Sequence, residues 1–455
     1  MADALKETEV QGANVTGKIS TKEKIGYGIG DIASNFVWGM VSSYLLFFYT
    51  DIFGITAAAA GTLFIVTRLW DAINDPLMGI VIDKTKSKHG KTRPYLLYLP
   101  IPLAVISVLT FITPSFSEGG KLVYAYITYT LLGMAFTAIN LPYASLMPRM
   151  TRDSGEKAEL NSYRGMGRTI ATIIVAAATL PLASLLGNGD EKIGFPITMG
   201  IYSVVATVLY FVTFKSCHER VVPKNTDKLV SLGQSVKDMM KNRSWSLVSI
   251  SATLWFLRSG TMNAALIYYI KYYLGQPGMI PFYLTLLNVA NLLGTVLAFF
   301  VLKRWGSRNS SVIMYAIATV LFIVLYLLGS DSTILFSTLF FLANILVGFG
   351  DPANLTMLGD SIDYHEWKFG NRLEGLLTSS YSFSLKVGVA IGSSLVGFAL
   401  GFAGYDPAAV TDNAKDMMKM LTFGFPIIIT ALQVILLLFY KLDKFHHKII
   451  EDLES

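Results

Sequence analysis

The chain has one cysteine, Cys217, in 455 residues, so no internal disulfide framework is available to it. Charge is scarce too. Asp, Glu, Lys and Arg make up 15% of residues, against about 25% in ordinary soluble domains. The sequence has no P-loop, no zinc-ligand spacing and no nucleophile-elbow motif, which argues against ATP-driven work and against familiar hydrolytic chemistry. The polar stretch from Met1 to Ser20 has no apolar core, so no cleavable signal peptide is expected.

What the sequence has instead is long apolar runs, with 53% hydrophobic residues overall. About 20 apolar residues cross a bilayer as a helix, because a helix satisfies its own backbone groups where water cannot. Twelve such runs stand out, with cores near 28–50, 58–81, 95–114, 122–146, 164–186, 195–215, 246–272, 280–303, 311–329, 334–358, 376–403 and 417–440. The expected fold is an all-α membrane protein.

Lys and Arg collect in every second connection. They lie in the N-terminal tail (Lys18, Lys22, Lys24) and after the second run (Lys84 to Arg93). They recur after the fourth (Arg149 to Arg168), around the midpoint (Lys215 to Arg243), at Lys303 to Arg308, at Lys368 and Arg372, and in the C-terminal tail. The intervening connections are short and neutral or acidic. These seven segments agree on a multi-pass inner-membrane protein with both termini cytoplasmic. They also explain the net charge of +6 without nucleic acid as a partner. The charged segment 217–245, with Pro223 and no apolar core, reads as a cytoplasmic linker between six-helix halves at 1–216 and 246–455. Two such halves meeting at a midplane site form the major-facilitator architecture. Membrane lipid is an expected partner, and a monomer is expected.

A charge in the bilayer centre costs roughly 2.5–3.5 kcal/mol on insertion scales, which makes each one a functional candidate. The densest group is Arg68-Leu69-Trp70-Asp71-Ala72-Ile73-Asn74-Asp75-Pro76 on the second helix. Asp71 and Asp75 are four apart and share a face. Arg68 and Asn74 lie beside them. Two carboxylates and an amide oxygen suit a hard monovalent cation, and a proton can compete for the same oxygens. The plainer alternative is a structural pair of Arg68 with one aspartate. Since Arg68 neutralises one carboxylate only, a second cation is still required. Lys386, inside the eleventh helix, is placed to reach this pair across the bundle and sense its occupancy; the alternative is a lysine snorkelling to the cytoplasm.

Arg258 on the seventh helix and Asp351 on the tenth either pair with each other or line a sugar pocket. In the pocket, Arg258 would hold an acidic sugar and Asp351 would accept from hydroxyls of a neutral one. Gly350-Asp351-Pro352 predicts a broken helix. Asp31, Asn35, Asn140 and Ser382 complete the set of hydroxyl-binding candidates. For the asparagines the alternative is an interhelical hydrogen bond. Gly28-Ile29-Gly30-Asp31 also matches the G-x-G-D pattern of intramembrane aspartyl proteases, but no apolar helix precedes it to supply a second aspartate. A membrane-embedded sugar sensor without transport is the other alternative to a transporter.

Several runs together carry a resemblance: Phe47 to Asp51, Asp71 to Gly79, Lys84-Thr85-Lys86-Ser87-Lys88-His89-Gly90-Lys91-Thr92-Arg93-Pro94, and Asp360 to Trp367. In order, and over nearly the whole chain, they resemble the glycoside–pentoside–hexuronide:cation symporters. The resemblance implies the major-facilitator fold, alternating access, no enzymatic activity, no cofactor, and a sugar or glycoside carried with Na+ or H+. In the melibiose permease branch the cation ligands correspond to Asp71, Asn74, Asp75 and Thr137, the coupling lysine to Lys386, and an arginine opening the fifth helix to Arg164. Where galactoside binders have aspartates, this chain has Asn35 and Asn140. Two sugar-site tryptophans correspond to Ala144 and Asp351. These segments look closer to the glucuronide and xyloside branches, which implies a pentoside such as a xyloside, or a hexuronide. Ion pairs of the strips Asp83 to Arg93, Arg149 to Arg164 and Asp363 to Arg372 are expected to close the cytoplasmic side in the outward-facing state.

Overall fold

The computed structural model describes residues 18–151, 153–221, 239–328, 332–370 and 374–454, and every described element is helical. The first span, α1, is Thr21–Phe47. A capping box starts it: Ser20 Oγ accepts from the Glu23 N–H at 3.3 Å, while the Glu23 side chain faces back to Ser20. It runs on through a π-turn, Phe48–Phe53, and stops at Gly54, whose φ of +84° belongs to the left-handed region that glycine enters without strain. Then come α2 (Ala57–Lys84), α3 in two segments (Arg93–Tyr98 and Pro100–Thr110), α4 (Glu118–Met150), α5 (Ser154–Leu186) and α6 (Glu191–Ser216). The second set is α7 (Arg243–Tyr268), α8 (Ile280–Trp305), α9 (Ser307–Leu328), α10 in two segments (Thr333–Gly348 and Gly350–Phe369) and α11 (Glu374–Phe402). It ends with α12, which is Asp412–Lys419, a π-turn and Phe425–Leu438. A short helix, α13 (His446–Glu454), follows.

The twelve apolar runs thus become twelve spans, with some differences at their ends and centres. Most helices outlast their apolar cores, because the chain keeps its helical hydrogen bonds into the polar boundary region. The third run breaks at Leu99, where Pro100 brings no N–H. The tenth breaks at Phe349, between two glycines and just ahead of Asp351-Pro352. Among the described residues, nine spans are long and apolar enough to be recognised as membrane-crossing on those grounds alone. The others include α2, whose apolar run is interrupted by Arg68, Asp71, Asn74 and Asp75.

In the first half α1 packs on α5 and α6, and α3 on α4 and α6. In the second half α7 packs on α11, α9 on α12, and α8 on α10. The halves meet chiefly through α2 with α11 and α5 with α8, and α1 also packs on α7. Large apolar side chains such as Val204, Phe299, Phe300 and Leu327 point outward, as expected where lipid is the solvent. The middle of the predicted linker, 222–238, lies outside the described residues. Its start is fastened to the first half. Arg220 meets Glu23 at 2.7 Å, and the Arg220 and Val221 N–H groups donate to the Arg149 carbonyl at 2.8 Å.

The bundle closes tightly at the end opposite the basic connections. There α2 and α11 approach through small residues: a side chain on Gly397 would come within 2.7 Å of the Ala57 carbonyl, and one on Gly61 within 3.0 Å of the Ser394 carbonyl. Toward the basic end the same helices diverge, and Trp70, Ile73, Leu77 and Phe383 become exposed.

Candidate functional site

The divergence of α2 and α11 places charged side chains between the halves. Asp71 accepts from Arg68 Nη1 at 3.0 Å. Arg68 lies 4.8 Å over the Trp38 ring, and its Nη2 reaches the Tyr129 hydroxyl at 3.4 Å. One turn on, Asp75 Oδ1 accepts from Thr137 Oγ1 of α4 at 3.1 Å, and Asp75 Oδ2 is paired with Lys386 Nζ of α11. The Lys386 side chain is 47% exposed, so it stands in the opening rather than in a packed interior. Among the described residues the buried Asn74 amide nitrogen has no hydrogen-bond partner. Each carboxylate is therefore held by a basic side chain of the protein itself. One of those bases belongs to the other half.

A second group lines the first-half wall. Arg164 of α5 pairs with Asp31 of α1 at 3.3 Å and lies 5.2 Å over the Tyr143 ring. Asn35 donates to the Asp31 carbonyl at 2.8 Å. Asn140 is half-buried on α4, three residues beyond Thr137. On the second-half wall, Asp351 accepts from the Tyr381 hydroxyl, and Ser382 is exposed next to it on α11.

Arg258 is placed differently from both expectations. It is 1% exposed, so it does not line the opening, and among the described residues no ion pair joins it to Asp351. Its guanidinium lies 5.9 Å from the Trp255 ring, with Nε and Nη1 unpartnered among the described residues. The reason is steric. Gly350, directly before Asp351, is packed against the Trp255 indole and the Tyr315 hydroxyl, which stand on the Arg258 side.

The charged strips at the basic end are split between the halves. Glu219 grips the strip after α2 through the Thr92 N–H at 2.7 Å and the Thr92 hydroxyl at 2.8 Å, and Arg149 approaches it at 3.9 Å. Asp363 faces His446 at 3.2 Å. The Asp83 side chain and Arg372 lie outside the described residues.

A cluster that the sequence reading did not assemble locks the closed end. The Asp51 side chain, 1% exposed, accepts from Lys271 Nζ at 2.9 Å, the Tyr405 hydroxyl at 3.0 Å and the Tyr272 hydroxyl, all from the second half, and from Thr50 of its own half at 2.7 Å. Thr50 also meets the Tyr268 hydroxyl at 2.7 Å. The available signals were Asp51, which ends the Phe47-to-Asp51 run, and Lys271, a charge at the end of the seventh apolar run.

A family model described as MFS/sugar transport protein matches residues 26–444. The isoprimeverose transporter of Lactiplantibacillus pentosus is 36% identical over 440 residues, covering 95% of this chain and 91% of its own. The glucuronide carrier protein homolog of Escherichia coli (strain K12) is 30% identical over 451 residues, covering 96% of each chain. Among solved structures, the nucleoside transporter NupG superposes with a TM-score of 0.64 over 92% of this chain and 100% of its own; at 14% identity this speaks to the fold alone. With charged pairs bridging two six-helix halves, and with relatives of this kind along its whole length, the chain belongs to the MFS/sugar transport protein family: it is a multi-pass, cation-coupled sugar symporter of the major-facilitator fold, and not an enzyme.

Proposed function

We propose that the protein imports a neutral glycoside or pentoside together with Na+ or H+, by alternating access, with both termini in the cytoplasm. Asp71, Asn74, Asp75 and Thr137 are the cation ligands in this reading. The observation that carries it is the pairing of Lys386 with Asp75 across the halves. A buried or half-buried carboxylate needs a counter-charge. Here the lysine supplies it, and an arriving cation can take its place. Displacing Lys386 frees α11 from α2, so ion binding acts directly on the contact between the halves. Four oxygen-bearing side chains suit Na+, and the paired carboxylates suit a proton equally well.

The preference for a neutral sugar comes from charge bookkeeping in the opening. Arg68, Arg164 and Lys386 each hold a carboxylate already, and Arg258 is enclosed. An anionic sugar would have only the exposed Arg168 of α5, near Tyr381, as a counter-charge among the described residues without breaking one of these pairs, and it would also meet Asp351. A neutral sugar can donate hydroxyls to Asp351 and Asp31 and bond to Asn35, Asn140 and Ser382. Both walls of the pathway come from one chain, which supports a working monomer.

The test is thermal shift and proteoliposome uptake with a xyloside, a glucuronide and a melibioside, each with Na+ and with a proton gradient. The neutral xyloside is expected to bind and to accumulate, and Asp75→Asn is expected to abolish accumulation against a gradient. A glucuronide taken up in preference would overturn the neutral-sugar reading. Ion-dependent accumulation surviving in both Asp71→Asn and Asp75→Asn would overturn the ion site.

A further inference from the structure

At the basic end of the second half, the turn between α8 and α9 bears a groove of about 390 Å3 lined by Trp305, Arg308, Asn309, Val312, Ile313 and Leu438. Lys303 and Arg304, both exposed, sit in the last turn of α8 beside it. Arg308 is fixed at the groove by capping α12: its Nε donates to the Leu437 carbonyl at 3.1 Å and its Nη2 to the Leu438 carbonyl at 3.0 Å, while Nη1 reaches Asn309 at 3.3 Å. Among the described residues, none of these three cations forms an ion pair with a carboxylate. The nearby Asp443 spends its Oδ2 on the Arg308 backbone N–H at 2.8 Å. From the groove two exposed apolar ridges run along the bundle. One is Ile313, Ile317 and Val320 on α9, and the other is Leu438, Ile435 and Leu432 on α12.

Three unneutralised cations, an exposed tryptophan at the same level and apolar ridges leading away from both match the layout of one molecule, with a negative head and hydrocarbon tails. We propose that this groove is a binding site for an anionic glycerophospholipid of the surrounding leaflet. The phosphate sits against Arg308 and Arg304, the glycerol region against Trp305, and the acyl chains along the Ile313 and Leu438 ridges. Basic pockets between spans on the cytoplasmic side recognise anionic headgroups in this way, and tryptophan favours the headgroup boundary. The two ridges distinguish a lipid from free phosphate, which has no use for them.

Native mass spectrometry of the delipidated full-length protein with phosphatidylglycerol, with phosphatidylcholine and with inorganic phosphate tests this. One phosphatidylglycerol is expected to be retained per chain, about tenfold or more in preference to phosphatidylcholine. Lys303→Gln/Arg304→Gln, which removes two exposed cations that make no side-chain hydrogen bonds among the described residues, is expected to cut that retention about tenfold or more. Ile313→Gln is expected to weaken it with the charges intact. The proposal is overturned if the two lipids are retained alike, if both variants hold phosphatidylglycerol as the parent does, or if millimolar inorganic phosphate displaces it.

Discussion

Asp51 makes the alternating-access reading testable at a single atom. Three of its four donors, on Lys271, Tyr272 and Tyr405, come from the opposite half, so their energy exists only while that end is closed. Asp51→Asn keeps the shape and one acceptor oxygen but removes the charge, leaving Lys271 facing a neutral amide. Hydrogen bonds to charged groups contribute about 1.5–3 kcal/mol. The Lys271 side chain is 26% exposed, and solvent recovers part of that. A loss of about 2 kcal/mol from the closed state is a shift of about thirtyfold toward opening at this end. The readout is labelling of Ala57→Cys by a membrane-impermeant maleimide, since Ala57 is 2% exposed in the closed contact with Gly397. The background is low, because burial, then the Glu23 charge, push the Cys217 thiol up to about 12. Labelling is expected to rise by at least tenfold in Asp51→Asn and in Lys271→Met, with the double variant little faster than either single one. An unchanged rate, or fully additive effects, would refute the latch.

Other expectations follow from neighbouring geometry. Lys386→Ala leaves Asp75 without its counter-charge, so downhill sugar exchange is expected to survive while ion-driven accumulation drops at least tenfold in proteoliposomes. Arg258→Met removes a buried guanidinium with two unpartnered nitrogens; because an uncompensated buried charge is costly, the melting temperature in detergent is expected to hold or rise. A fall of more than a few degrees would show that Arg258 is paired in solution. Burial opposes ionisation of Glu219, but donors on Thr92, Lys91 and Arg93 outweigh it and hold its carboxyl below the usual glutamate range. Its stabilisation is therefore complete above about pH 4.3 and fades as pH falls through the lowered folded value. Glu219→Gln is accordingly expected to cost about 2 kcal/mol at pH 7, and its melting temperature to converge with the parent's on acidification.

The sequence by itself determined the apolar runs that become helices, the collection of basic residues in every second connection and the dense charge group on the second helix. Each of these follows from local rules. A bilayer demands about 20 apolar residues per helix, lysine and arginine mark one side, and residues four apart share a face. The tertiary structure decided which charges meet. Lys386 was expected to reach the Asp71 and Asp75 pair, but its partner, Asp75, was settled only by packing across 311 residues of chain, and Asp51 and Lys271, 220 apart, are joined by no spacing rule. Arg258 shows the same limit from the other direction. Its place in an apolar helix marked it as a functional candidate, but the packing of Trp255, Tyr315 and Gly350 put it inside the second half rather than in the opening. A helix's period sets which side chains share a face. Which neighbour that face meets, and whether the meeting point is open or closed, depends on how the two halves pack against each other.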